Sequence, residues 1–197
     1  MQELTGLVVC GGLSSRMGRD KSLVEWHGIA QRYFLYRMTE PLCGSVFISC
    51  NAAQAPEIAP DYNYIVDDEN YANAGPIAAL LTAFDKFPNN SFLVIGGDYP
   101  FLKNEDLVHL VSNRNENDVA VSFFDEATGF YEPLIAVYEN KIADLLFDNF
   151  WQQQFSLQKI LAQSSACKVD PIEMKAILSI NTQEEYLKAV EEMKKVQ

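Results

Sequence analysis

Residues 4–9, Leu-Thr-Gly-Leu-Val-Val, make an apolar run that halts at Gly11-Gly12, and this junction constrains the fold more than any other feature of the chain. A short run dense in Leu and Val reads as a buried strand. Two glycines then let the chain turn and let backbone N–H groups approach a ligand closely. Consecutive N–H groups in such a turn form an anion-binding concavity. The loop continues through small residues and delivers Arg16, Arg19 and Lys21. Cationic side chains placed there can neutralise phosphate oxygens. The segment therefore reads as a triphosphate-binding loop at the carboxyl end of a first strand.

Two familiar phosphate loops do not fit it. A Walker A loop places Gly immediately before Lys-Ser/Thr, whereas Asp20 precedes Lys21-Ser22. The dinucleotide fingerprint needs Gly-x-Gly-x-x-Gly, and Gly11, Gly12 and Gly18 have another spacing. A plainer reading stays open on the glycines alone: a turn after a strand with solvated cations beyond it.

Downstream, short apolar segments alternate with helical patterns, which is the order expected of βαβ units and a mainly parallel, mixed sheet flanked by helices. Strands are expected over residues 4–9, 46–50, 64–66, 92–95, 119–123, 133–137 and 178–180. Helices are expected over residues 31–39, 76–84, 105–113, 141–149, 156–162 and 183–196. Pro76 suits the first helical position after Gly75. Thr182 and Glu185 form a capping box, with Thr182 as N-cap. Neither a repeat nor a Pro/Gly/Ser-rich linker divides the chain, so residues 1–197 are expected to form one α/β domain.

The chemically unusual residues cluster after strands: Gly11 to Lys21, Asn51, Asp68, Gly97 to Pro100, and Asn181. In open α/β sheets ligands bind outside the carboxyl ends of strands, so these residues are expected on one rim. Asp98 follows two glycines and precedes Tyr99-Pro100. A carboxylate there can be a hard oxygen ligand for Mg²⁺, an ion that takes one or two carboxylates together with substrate phosphates. It can equally cap its own turn.

Composition narrows the alternatives. Hydrophobic residues make up 48% and charged residues 21% of the chain, which is the balance of a globular protein. No apolar run nears the roughly 18–20 residues that cross a bilayer, and Met1-Gln2-Glu3 lacks a basic leader. No membrane association and a cytoplasmic location are expected. A net charge of −12 argues against nucleic acid as a partner. Three of the fifteen Lys and Arg residues lie within positions 16–21, a basic focus that can still receive an anion in a negative field. Cys10, Cys43, Cys50 and Cys167 show no Cys-x-x-Cys spacing, and His27 and His109 are the only histidines, so neither a zinc site nor a thiol nucleophile is expected.

The string Cys10-Gly11-Gly12-Leu13-Ser14-Ser15-Arg16-Met17-Gly18-Arg19-Asp20-Lys21 resembles the signature of the molybdenum cofactor guanylyltransferases, Leu-Ala-Gly-Gly-x-Ser-x-Arg-Met-Gly-x-Asp-Lys. Further segments follow in the family's order: Asn51, Asp68, Gly75-Pro76-Ile77, Gly97-Asp98-Tyr99-Pro100, and Ile180-Asn181-Thr182. The resemblance covers residues 4–190 or so and implies a Rossmann-like nucleotidyltransferase fold. It also implies Mg²⁺-dependent transfer of GMP from GTP to molybdopterin or the molybdenum cofactor, with release of pyrophosphate. Arg16, Lys21 and Asp98 would be the catalytic residues, with Asp98 the metal ligand. Cys10, Gly11, Gly12, Lys21, Asn51, Asp68 and Asp98 would line the nucleotide, and Ser179 and Asn181 the acceptor. Other cofactor-biosynthesis proteins or molybdoenzymes would be partners. An ionised phosphate nucleophile needs no general base, which suits a chain nearly devoid of histidine.

Cys10 replaces the usual alanine, a small-for-small change, and four later departures matter more. Ala79 stands for a glycine, Gly97 for a cysteine, Glu132 for a histidine, and Ser179 for an asparagine. Glu132 and Ser179 fall in regions expected to face the pterin. Two other readings stay open: cytidylyl or another nucleotidyl transfer on the same fold, and a non-catalytic nucleotide- or pterin-binding protein.

Overall fold

In the computed structural model, which describes residues 3–10, 20–115 and 117–194, the first apolar run is a strand, β1 (Leu4–Val9), buried at every position. The remaining strands are β2 (Ser45–Cys50), β3 (Tyr64–Val66), β4 (Ser91–Gly96), β5 (Ala120–Asp125), β6 (Phe130–Tyr138) and β7 (Ala166–Val169). They form one seven-stranded sheet in the order β3-β2-β1-β4-β6-β5-β7. The pairs β1–β2, β1–β4, β2–β3 and β5–β7 are parallel, whereas β4–β6 and β5–β6 are antiparallel. The expected mixed, mainly parallel sheet is present.

Helices cover both faces. They are α1 (Gln31–Thr39), α2 (Ile77–Lys86), α3 (Asn104–Ser112), α4 (Ala143–Trp151), α5 (Leu157–Gln163) and α6 (Gln183–Met193). Alternate side chains of the central strands feed two cores. Phe92 and Val94 of β4 pack with Leu80, Leu81 and Phe84 of α2, with Leu146 of α4, and with Ile160 and Leu161 of α5. Leu93 and Ile95 pack on the opposite face with Leu35 of α1 and with Leu107 and Leu110 of α3. A strand buried on both sides is apolar along its centre, which is why residues 92–95 show no polar alternation.

Two expectations need correction. Residues 178–180 were expected to form a strand, but they lie outside the sheet and dock on the end of β4 through a hydrogen bond from Ile180 N to Asp98 O at 2.9 Å. The seventh strand is instead Ala166–Val169, whose Ala-Cys-Lys-Val sequence has little apolar signal and pairs only with β5. Pro76 is the N-cap of α2 rather than its first helical residue, because Gly75 turns the chain with φ +73° just before it.

The sheet order places β1 at a switch point. From β1 the chain goes outward to β2 and β3, then returns to place β4 on the other side of β1. The crevice at the carboxyl ends of β1 and β4 is where an open α/β sheet receives its ligand.

Candidate active site

The crevice is built from the end of β4. Gly97 N donates to Val9 O at 3.0 Å, holding the exits of β4 and β1 together. A Cβ on Gly96 would lie 2.9 Å from Tyr99 Cε2 and 3.0 Å from Asp98 Oδ1, so only glycine lets the following turn fold back this closely. Asp98 is thereby held in a partly buried position, lining a cleft with Lys21, Val24, Trp26, Gly97 and Ile180. Burial pushes its carboxyl above the ordinary range, and the nearby Lys21 charge opposes that rise.

Lys21 opens a single helical turn, Lys21–Leu23, whose N-cap is Asp20. Asp20 Oδ1 accepts from Ser22 N at 2.9 Å and from Ser22 Oγ at 2.7 Å. Asp20 Oδ2 accepts from Gln54 Nε2 at 2.6 Å, and Gln54 Nε2 also reaches Cys10 O at 3.2 Å. Asp20 therefore ties the far end of the glycine loop to the exit of β1. Lys21 points to the other flank, where its Nζ donates to Asn181 Oδ1 at 2.7 Å. Asn181 Nδ2 in turn donates to Ser179 Oγ at 2.8 Å. The expected capping box holds this segment: Glu185 Oε2 accepts from Asn181 N and Thr182 N at 2.7 and 2.9 Å, and Glu185 N donates to Thr182 Oγ1 at 3.2 Å.

On the flank formed by β2 and β3, Asn51 follows β2, and its Oδ1 accepts from Ala53 N and Gln54 N, both at 3.0 Å. That carbonyl serves its own turn. Asp68 follows β3 and caps the turn Glu69–Tyr71, its Oδ1 accepting from Asn70 N at 2.8 Å. Cys10 is partly buried at the exit of β1, and burial pushes its thiol up to about 12, so it is no thiolate. Gly11, Gly12 and Arg16 lie outside the described residues.

The structure thus brings Lys21, Asp98, Ser179 and Asn181 together on one side of the crevice, with Cys10 at its floor. Asn51 and Asp68 lie along the rim at the ends of β2 and β3. Among the described residues no group of three or more His, Cys, Asp or Glu side chains could hold a metal ion unaided.

Several contacts around the site were not legible in the sequence. Glu132 of β6 is half-buried and accepts a hydrogen bond from the Tyr99 hydroxyl. Burial pushes Glu132 up to about 7, and the neighbouring Asp98 charge adds to the rise. Glu132 lies in a region expected to face the pterin, and its carboxyl braces the turn that carries Asp98. Ala79, in place of a glycine, is 2% exposed, and its methyl packs in the α2 core. Trp26 closes the cleft against Tyr186 of α6, with ring centroids 5.0 Å apart.

This arrangement can be compared with known proteins. The model of the MobA-like NTP transferase domain matches residues 6–167. The chain belongs to the MobA-like NTP transferase family. Within that family it is 26% identical over 200 residues to a Bacillus cereus protein named probable molybdenum cofactor guanylyltransferase, covering 98% of both chains. It is 28% identical over 186 residues to the molybdenum cofactor biosynthesis bifunctional protein of Synechocystis, covering 93% of this chain and 52% of that one. The MobA-like chain therefore spans about half of the Synechocystis relative. The molybdopterin-guanine dinucleotide biosynthesis protein A of Archaeoglobus fulgidus shares its fold, with a TM-score of 0.80, 23% identity, and coverage of 98% and 100% of the two chains. Among the described residues no helix of this MobA-like transferase is long and apolar enough to cross a membrane.

Proposed function

We propose that this chain transfers GMP from GTP to the terminal phosphate of molybdopterin or the molybdenum cofactor. One phosphate oxygen of the acceptor attacks the α-phosphorus of GTP. The bond from that phosphorus to the oxygen bridging to the β-phosphate breaks, and pyrophosphate leaves with the electron pair. The single observation that carries the reading is the pairing of Lys21 and Asp98 in one cleft at the switch point, in a chain of MobA-like sequence. The full-length likeness to the Bacillus guanylyltransferase supplies the substrate classes.

Lys21 stabilises charge that builds on the triphosphate in transfer. Its ammonium is fixed beforehand by Asn181, so little reorganisation accompanies the reaction. Arg16 neutralises the leaving phosphates. Asp68 accepts from guanine N1–H and N2–H₂, with backbone groups of Cys10, Gly11 and Gly12 meeting the remaining edge and Asn51 shaping the rim. Ser179 and Asn181 face the acceptor.

The donor set suits Mg²⁺ delivered with the nucleotide. Asp98 offers one hard carboxylate at an open rim, and such an ion takes its remaining ligands from phosphates and water. When bound, Mg²⁺ supplies charge neutralisation at phosphate oxygens. Asp98 is the residue that would hold it. The chain acts as one nucleotidyltransferase unit in the cytoplasm, with pterin-supplying proteins or molybdoenzymes as its partners.

Competition titration tests the nucleotide assignment. With Mg²⁺ present, GTP is expected to bind about tenfold or more tightly than CTP or ATP, since a wrong base leaves site groups unpaired at ~1–3 kcal/mol each. Equal affinity for CTP would move the assignment to cytidylyl transfer.

A further inference from the structure

The cleft beside Asp98 has an unusual lining for a site whose chemistry is phosphate transfer. Its cavity volume is only about 10 Å³, room for about one water, so a larger ligand lies across its mouth rather than inside it. Lys21 and Asp98 supply its charges, Val24 and Ile180 are buried apolar groups in its lining, and Trp26 completes the wall. The Trp26 ring is partly exposed and is held by Tyr186 at a centroid distance of 5.0 Å and an interplanar angle of 53°. Triphosphate oxygens gain nothing from the face of an indole. A planar heterocycle does, because π faces attract one another and large apolar area is buried at low entropic cost.

Two adjacent residues divide the crevice into flanks. Asp20 reaches Gln54 and, through it, Cys10 at the exit of β1, on the side of β2 and β3. Lys21 reaches Asn181, on the side of α6. Asn51 and Asp68 belong to the first flank, at the ends of β2 and β3. Trp26, packed on Tyr186 of α6, belongs to the second. In-line transfer sets the attacking acceptor oxygen opposite the leaving pyrophosphate, and Ser179 and Asn181, assigned above to the acceptor, lie on the second flank with Lys21. With the guanine on the β2–β3 flank, the heterocycle facing Trp26 is the acceptor's.

We propose that Trp26, backed by Tyr186, is the stacking platform for the fused ring system of the acceptor pterin, placing its phosphate beside Lys21. The proposal rests on the guanylyl transfer reading above. It makes Trp26 a binding residue that selects the acceptor and leaves the nucleotide alone.

The chain has two tryptophans, Trp26 and Trp151, and Trp151 is 73% exposed on α4. A Trp151→Phe protein therefore reports Trp26 emission, and a Trp26→Phe protein reports Trp151. Each is titrated anaerobically with molybdopterin and, separately, with GTP and Mg²⁺. Trp26 emission is expected to fall strongly with molybdopterin and little with GTP, while Trp151 emission responds weakly to both. Trp26→Ala should raise KM for molybdopterin about tenfold, within the range measured for loss of one base–aromatic stack. The KM for GTP and kcat should stay close to the wild-type values, and Trp26→Phe should recover most of the acceptor affinity. A purely structural Trp26 would disturb both substrates together and would not be quenched by one of them. Quenching by GTP alone, or an unchanged molybdopterin KM in Trp26→Ala, overturns the platform. If wild-type protein fails to transfer GMP to molybdopterin at all, the guanylyl transfer reading falls instead, and that control is run first.

Discussion

Lys21 Nζ donates to Asn181 Oδ1 at 2.7 Å, a contact between residues 160 positions apart that closes the crevice from both ends of the chain. Asn181 is itself fixed by the capping box at the start of α6 and by Ser179. A lysine side chain carries much rotamer entropy. Holding its ammonium before substrate arrives removes part of that cost from the reaction.

The first prediction concerns this pair. Lys21→Ala should lower the transfer rate by roughly 10²–10³, the loss typical of one preorganised donor. Asn181→Ala leaves the ammonium in place but frees it, and should cost about tenfold, less than Lys21→Ala because only the hydrogen bond goes. Thermal melts should show both variants folded. Wild-type turnover in Lys21→Ala would remove the residue from the phosphate site.

Asp98→Asn should reduce Mg²⁺-supported activity sharply while metal-free nucleotide binding changes little. The pH dependence has a defined sign. Burial raises the Asp98 carboxyl, so a proton competes with a cation at higher pH than at an ordinary aspartate. Activity at fixed low Mg²⁺ should therefore fall on mild acidification and recover with added Mg²⁺. Kinetics across a matrix of pH and Mg²⁺ concentrations check this; a pH profile insensitive to Mg²⁺ contradicts it.

Glu132 makes a separate prediction about stability. Its carboxyl is raised from 4.5 to about 7, chiefly by burial. The folded state thus binds this proton more tightly than the unfolded state. The contribution is fully present below about pH 4.5 and is lost as pH rises through about 7. Glu132→Gln keeps the shape without the ionisation and should flatten that part of the pH–stability curve. Denaturant melts of both proteins from pH 4.5 to 8 measure the difference, and parallel curves would place Glu132 outside the balance.

Asp68→Asn should erode the preference for GTP over CTP by about tenfold while changing triphosphate affinity less. Asparagine can still accept from Asn70 N through its side-chain oxygen, so the turn Glu69–Tyr71 survives the change. The ratio of GTP to CTP dissociation constants is the readout, and an unchanged ratio returns Asp68 to turn capping alone.

How legible these features were in the sequence depended on their range. β1 and α1 match their expected bounds because a pure apolar run and a helical pattern are local signals. The capping box at Thr182 and Glu185 is local too. β7 was missed because four residues with one lysine carry almost no pattern, and pairing with β5 alone decides their state. Residues 178–180 have the apolarity of a strand, yet their backbone bonds are a local turn to Lys175 O and one contact to Asp98 O rather than a ladder with a sheet neighbour. Lys21, Asp98 and Asn181 stood out as unusual residues after strands, and their expected roles came from the family resemblance. The Tyr99–Glu132 and Trp26–Tyr186 contacts were not, since each joins segments whose proximity only the folded sheet creates.

The central claim is most directly tested by a single-turnover reaction of the purified protein with α-labelled GTP, Mg²⁺ and molybdopterin under anaerobic conditions. The predicted result is label in a guanine dinucleotide of the pterin, with one pyrophosphate released per labelled product and none without the acceptor. Label that remains in GTP while GTP and molybdopterin both bind, or label transferred only from α-labelled CTP, would contradict it.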